Sequence, residues 1–200
     1  MKRRRAALAY IALAAGLAAG LLLLVVIVPC WLATEPSGET GAEPAAAGSV
    51  TRTIHARLFY VAEDGQRLVS VEQSIPFGEG TVEQARRIIE AQIAPPPDGQ
   101  HSAIPAGTRL RAIYLTERGE AHVDFSPEIS AAHPGGTTNE ILTVYTIVNA
   151  LTVNLPAISG VQLLVGGREV ETLAGHIDLR RPLQQDLQWV AERRPAGGGK

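Results

Sequence analysis

The chain predicts an α+β domain: two helices packed on a largely antiparallel or mixed sheet, in the order β-β-α-β-β-α-β-β, behind one transmembrane helix. Three observations predict it. Short runs with apolar residues at every second position are bounded by Gly, Pro, Asn and Asp. Two longer stretches switch to the helical period after Thr-x-x-Gln and Thr-x-x-Glu starts. The first thirty residues join four cations to an uncharged apolar run.

That apolar run, residues 6–28, would form a helix of roughly 35 Å at about 1.5 Å per residue, enough to cross a bilayer core of about 30 Å. Lys2, Arg3, Arg4 and Arg5 precede it. The positive-inside rule therefore predicts a cytoplasmic stub at 1–5, a membrane anchor at 6–28 and the remaining chain outside the cytoplasm. Tyr10 and Trp31 lie near its two ends, where amphipathic aromatics sit at headgroup level. The run is longer than the 7–15 apolar residues of a cleaved signal, so the anchor is expected to be retained. Cys30, the only cysteine, excludes an internal disulfide, and Pro29 before it is a poor lipidation context. Gly16 and Gly20 form a G-x-x-x-G row that can pair helices, so a homo-oligomer is a further expectation.

Residues 29–51, rich in Ala, Gly, Pro, Ser and Thr with Glu35, Glu39 and Glu43, read as a flexible acidic linker. The folded domain is placed at 52–183, and a short helix with a disordered tail at 184–200. Ile54, Ala56, Leu58 and Tyr60 alternate in a first strand; Asp64-Gly65 turns into a second over 68–74. Thr81-Val82-Glu83-Gln84 reads as a capping box opening a helix with Val82, Ala85, Ile89 and Ile93 on one face. Pro95-Pro96-Pro97-Asp98-Gly99 ends it. Strands at 110–116 and 120–125 flank Glu117-Arg118-Gly119. A second capping box, Thr137-Thr138-Asn139-Glu140, opens a longer helix with Ile141, Val144, Val148, Leu151 and Leu155 on one face. A last hairpin, 161–165 and 168–170, turns on Gly166-Gly167, which supply positive φ.

Charge removes one class of partner. Four of the 18 basic residues lie in the first five positions, leaving 14 against 20 acidic residues, with no basic stripe for nucleic acid. No G-x-S-x-G elbow, P-loop, G-x-G-x-x-G or H-E-x-x-H pattern occurs, so no catalytic residue and no cofactor is assigned. The nearest approach to a metal site is His122 and Asp124 on one strand face, with His133 and Glu140 as further ligands; the spacing does not favour it.

Three segments, taken in order, resemble the GerMN domain, the sporulation and spore germination domain. They are the run from Ser102 to Leu110 with Ile104, Pro105 and Gly107; the run from Gly119 to Ser126 with Val123, Asp124, Phe125 and Ser126; and the run from Gly136 to Glu140, followed by a helix and a hairpin at Gly166. The likeness covers about residues 54–181. It implies an extracytoplasmic, usually membrane- or lipid-anchored bacterial module without catalytic residues, its fold similar to ring-building motifs of envelope machines.

Residue chemistry gives these motif positions structural work. Gly107 fits the third position of a type II turn after Pro105. Asp124, before a turn, is suited to accept backbone N–H bonds, Ser126-Pro127 starts a turn, and Glu140 is read as half of its capping box. The expected function is a non-enzymatic, membrane-anchored interaction or assembly module of the bacterial envelope, linked by resemblance to sporulation or germination. Its partners are other envelope proteins, met through surface sites such as Arg57 and Arg111. The alternative is a binding domain for cell-wall glycan or peptide; a metal-dependent hydrolase ranks last.

Overall fold

The computed structural model describes residues 52–192. The expected stub, anchor and linker at 1–51, and the tail from 193, lie outside the described residues. Among the described residues no helix is long and apolar enough to cross a membrane.

The secondary structure runs β1 (Thr53–Val61), β2 (Leu68–Pro76), α1 (Gly80–Ile93), β3 (Leu110–Leu115), β4 (Glu120–Phe125), α2 (Glu128–Ala131), α3 (Thr137–Asn154), β5 (Gly160–Val165), β6 (Arg168–Glu169) and a 3-10 turn at Leu187–Trp189. The domain is α+β with two main helices, but the strands form two sheets rather than the expected one. β1 and β2 make an antiparallel pair, and a second sheet has the order β3-β4-β5-β6. In it β4 and β5 run parallel, with α3 as the crossover, while β3–β4 and β5–β6 are antiparallel hairpins.

The division has a cause in β1. Its outward N–H and C=O groups meet helix side chains instead of a third strand. Asn154, the last residue of α3, accepts from the Arg57 N–H and donates to the Arg57 carbonyl, both at 2.8 Å. Gln92 of α1 does the same for Phe59, at 2.9 and 2.8 Å. The Val61 N–H then donates to the His101 carbonyl at 2.8 Å. Two carboxamides thus substitute for a neighbouring strand, and each satisfies one donor and one acceptor.

The helix α3 packs on β1, β5 and α1, while α1 packs on β3. Val144, Ile147, Val148, Ala150 and Leu151 are all fully buried. The stripe expected for α3 therefore widens to nearly the full circumference, as in a helix enclosed by other elements. In α1, Ala85, Ile88 and Ile89 are buried, but Val82 is 39% exposed and does not join the core.

Neither helix starts with the expected capping box. The N-cap positions are Glu79 and Gly136, without side-chain capping bonds, so Thr81 and Thr137 already lie inside the first turns. Gln84 reaches back past the helix start and accepts from the Gly78 N–H at 2.9 Å. Gly136, at φ 85°, turns the chain into α3. The Gly166-Gly167 turn has φ 60° and 80°, the positive pair required between Val165 and Arg168.

Candidate functional site

Two buried carboxylates organise the motif residues. Asp124 lies on the face of β4 opposite Ala121, Val123 and Phe125, which are fully buried. Beside it the β3–β4 register slips between Leu110 and Ala112, so Arg111 is an extra residue in the ladder. This bulge turns its side chain toward Asp124, and Nε donates to Oδ2 at 2.9 Å. Oδ1 accepts from the Gly167 N–H at 2.7 Å. One carboxylate therefore joins β3, β4 and the β5–β6 turn, and Arg111, exposed as expected of a surface site, is also its ion-pair partner.

The flanking motif residues extend this junction. The Phe125 carbonyl accepts from the Gly166 N–H at 2.8 Å. Ser126 is buried; its Oγ accepts from the Arg109 N–H at 3.0 Å, and its own N–H donates to the Arg109 carbonyl at 2.9 Å. Upstream, Ile104 packs into the core and the chain turns at Pro105-Ala106-Gly107-Thr108. Gly107 has φ 82°, and the Thr108 N–H and hydroxyl both donate to the Pro105 carbonyl, at 3.3 and 2.7 Å.

Glu140 is the second carboxylate. Its side chain leaves its own helix start and enters the turn that follows β6. Oε1 accepts from the N–H groups of Leu173 and Ala174 at 2.8 and 3.0 Å, and Oε2 from His176 at 2.8 Å. Burial alone would raise its pKa, but the ring of backbone donors outweighs burial and holds the carboxyl below its ordinary value. The residue is fully buried. It acts as an anion bound in a nest of N–H groups, not as a helix cap.

The four residues weighed as metal ligands are used separately. Asp124 and Glu140 are occupied as described. His122 is half-buried on β4 beside Tyr114 of β3. His133 accepts from the Gly135 N–H through Nδ1 at 3.0 Å, and its Nε2 faces the Thr143 hydroxyl at 3.2 Å. That network assigns the proton to Nε2 of a neutral ring. Burial, the largest influence, lowers the His133 pKa against the opposing charge of Glu140. Among the described residues no three His, Cys, Asp or Glu side chains gather as a metal-binding set.

Two surfaces remain open to solvent. Tyr114 is 61% exposed at the outer face of the four-stranded sheet. A groove of about 1270 Å³ lies over the β1–β2 hairpin, bounded by residues 61–65, 69–71, 99–102 and 191–192. The Ser102 hydroxyl in this groove bonds the Ile104 backbone, and no hydrogen bond joins the His101 ring to a serine among the described residues. The groove thus offers backbone groups, small polar side chains, three valines and three carboxylates, which suit binding. Sequence patterning missed the roles of Gln92 and Asn154, whose only signal was a carboxamide on an otherwise apolar helix face, and it read Arg111 as a surface site without its tie to Asp124.

No curated protein matches this chain. Among solved structures, a Clostridium perfringens protein described as a lipoprotein is 23% identical and matches over 72% of this chain and 93% of its own, with a TM-score of 0.47. The tandem GerMN domains of the sporulation protein GerM from Bacillus subtilis are 20% identical over 74% of this chain and 51% of theirs, with a TM-score of 0.49. The first GerMN domain of that protein is 23% identical over 66% and 98%, with a TM-score of 0.49. The Germane family model, "Sporulation and spore germination", matches residues 57–171. That span takes in the Pro105 turn, the Asp124 junction and Glu140, and by this match over more than half its length the chain belongs to the Germane family of sporulation and spore germination domains.

Proposed function

We propose that the protein is a non-enzymatic, membrane-anchored module working outside the cytoplasmic membrane, where it joins envelope proteins into an assembly connected with sporulation or germination. One observation carries the reading. Asp124 and Glu140, the two fully or nearly buried carboxylates, point their oxygens at Arg111 and at backbone N–H groups of their own chain. A catalytic carboxylate must present a lone pair or a proton to a substrate, and these hold the fold together instead. The family match supports the developmental context. The cations and apolar run of residues 2–28 support the anchor and its orientation.

Crosslinking in the native envelope tests the proposal. Tagged full-length protein should capture one or a few envelope proteins in stoichiometric amount. Tyr114→Ala should weaken capture while leaving the folded fraction unchanged. Capture of nothing, together with binding of purified cell-wall fragments in the groove, would transfer the assignment to the second reading, a glycan or peptide receptor, which the groove over β1–β2 favours.

A further inference from the structure

The two edges of the β1–β2 sheet are treated differently. The β1 edge is closed at three successive outward residues, Arg57, Phe59 and Val61, by Asn154, Gln92 and His101. In the antiparallel register these residues lie opposite Glu72, Ser70 and Leu68, with His55 opposite Ser74. Residues opposite each other in an antiparallel pair point their backbone groups either both toward each other or both apart, so Leu68, Ser70, Glu72 and Ser74 direct N–H and C=O away from β1. Only the first of these is engaged at the open edge. Val190 bridges Leu68 in parallel, and the Ala191 N–H donates to the Leu68 carbonyl at 2.7 Å. Among the described residues no hydrogen bond reaches the outward backbone groups of Ser70, Glu72 or Ser74. The edge thus already accepts a parallel strand for one rung, and among the described residues it is unpaired beyond that, beside the groove.

Charge limits what fits there. The groove lining includes Glu63, Asp64 and Glu192 and no lysine or arginine. Asp64 is paired with Arg67 at 3.1 Å, but Glu63 has no cation within ion-pair distance among the described residues. Glu72 is exposed on the open edge itself and likewise has none. Val69 and Val71 add apolar surface between these acids.

We propose that β2 is a strand-addition site for an extended, cationic segment of a partner protein, lying parallel to β2 and pairing with Ser70, Glu72 and Ser74. Main-chain hydrogen bonds supply the affinity, and lysine or arginine at alternate positions meets Glu63 and Glu72. The proposal rests on the interaction-module reading and names the partner chemistry for one of its surfaces.

The test uses full-length protein in detergent and a synthetic peptide alternating lysine and valine over eight residues. Isothermal titration should show binding, with slowed hydrogen exchange at the Ser70 and Glu72 amides. The same peptide N-methylated at every second amide should bind at least tenfold more weakly, and so should one with glutamate in place of lysine. Ser70→Pro removes an outward N–H without touching the β1 ladder, and should weaken binding by a similar factor. Equal binding of the N-methylated peptide would overturn strand addition, as would absence of binding by the lysine–valine peptide. Binding to a chain ending at Glu192 but not to the full chain would overturn the partner assignment in favour of the protein's own basic C-terminus. In any of these failures, capture of envelope proteins through the Tyr114 face leaves the interaction-module reading standing.

Discussion

Removing the Glu140 carboxylate should release the segment after β6 from the helix that holds it. Three N–H groups converge on two oxygens, at 2.8, 3.0 and 2.8 Å. A hydrogen bond to a charged group contributes about 1.5–3 kcal/mol, so a naive sum for three is about 4.5–9 kcal/mol. The sum overstates the cost, because His176 is exposed and Ala174 half-exposed, and both reach water once the turn loosens. Leu173 cannot, since its residue is 5% exposed and packs in the core. Glu140→Ala should therefore destabilise the domain by roughly 2–4 kcal/mol, about 1–3 for the Leu173 N–H left buried without a partner and the rest from the two amides that reach water. Glu140→Gln retains an oxygen for Leu173 and Ala174 but turns an NH₂ toward the His176 N–H, and should cost about 1.5–3 kcal/mol.

Chemical denaturation reads these differences directly, and hydrogen exchange at the Leu173 amide localises them. The pH dependence has a fixed sign. A carboxyl held below its unfolded pKa stabilises fully above that unfolded value, about 4.3 for glutamate. Its contribution is lost as pH falls from there through the lower folded value. Wild-type protein should thus lose stability on acidification below about pH 4.3, and Glu140→Gln should lose less over the same interval. If Glu140→Ala matches wild type within 0.5 kcal/mol (about the scatter of a neutral surface change), the nest has no structural weight and the argument from committed carboxylates fails.

Other substitutions probe separate features. Asp124→Asn keeps an acceptor for Gly167 but presents a donor to Arg111 Nε; a loss of about 1–3 kcal/mol is expected in urea titrations. Gly119→Ala should cost more than about 1 kcal/mol by the same measure, because φ is 81° and the added Cβ would lie 2.6 Å from the Ala157 carbonyl oxygen. Val148→Asp, at a fully buried site of α3, should abolish the folded state, whereas Val82→Asp on exposed α1 surface should stay within about 0.5 kcal/mol; circular dichroism of the pair separates core from surface.

What the sequence discloses depends on whether a feature is local. The Gly166-Gly167 and Pro105-to-Thr108 turns are legible because their φ requirements fall on glycine, and both form as expected. The strands of the four-stranded sheet are legible from alternation, and α1 and α3 from the helical period, whereas the four-residue α2 is too short to show a period. Pairing is not. Alternation in β1 shows which residues face inward, but not that its edge ends on Gln92 and Asn154. Phe59 shows the limit: it breaks the period-two pattern yet is fully buried, because the end of β1 is covered on both faces. The Thr-x-x-Glu motif of α3 misleads for a related reason. A capping box satisfies N–H groups close by in sequence, whereas here the glutamate satisfies more of them over thirty residues away. Helix-start chemistry cannot tell these outcomes apart.

The segment after the family match belongs to the same folding unit. The family model ends at residue 171, yet Leu173 and Leu179 are buried in the core and Glu140 holds the turn between them. Leu183 exchanges two 2.8 Å backbone bonds with Val161 of β5. Farther on, the Asn149 carboxamide both donates to Asp186 and accepts from it, at 2.8 and 3.0 Å, and Trp189 stacks on Tyr145 with ring centroids 6.4 Å apart. Asn149 is fully buried inside α3, so removing its partner would leave a buried carboxamide without hydrogen bonds. Ala191 then reaches Leu68 on the open edge of β2. Ala191 and Glu192, at one side of the proposed docking edge, are thus positioned by a segment anchored along α3, through the same use of polar side chains that closes the β1 edge. The central helix holds the fold's polar contacts on several sides, and among the described residues the edge of β2 beyond Leu68 is left without backbone partners.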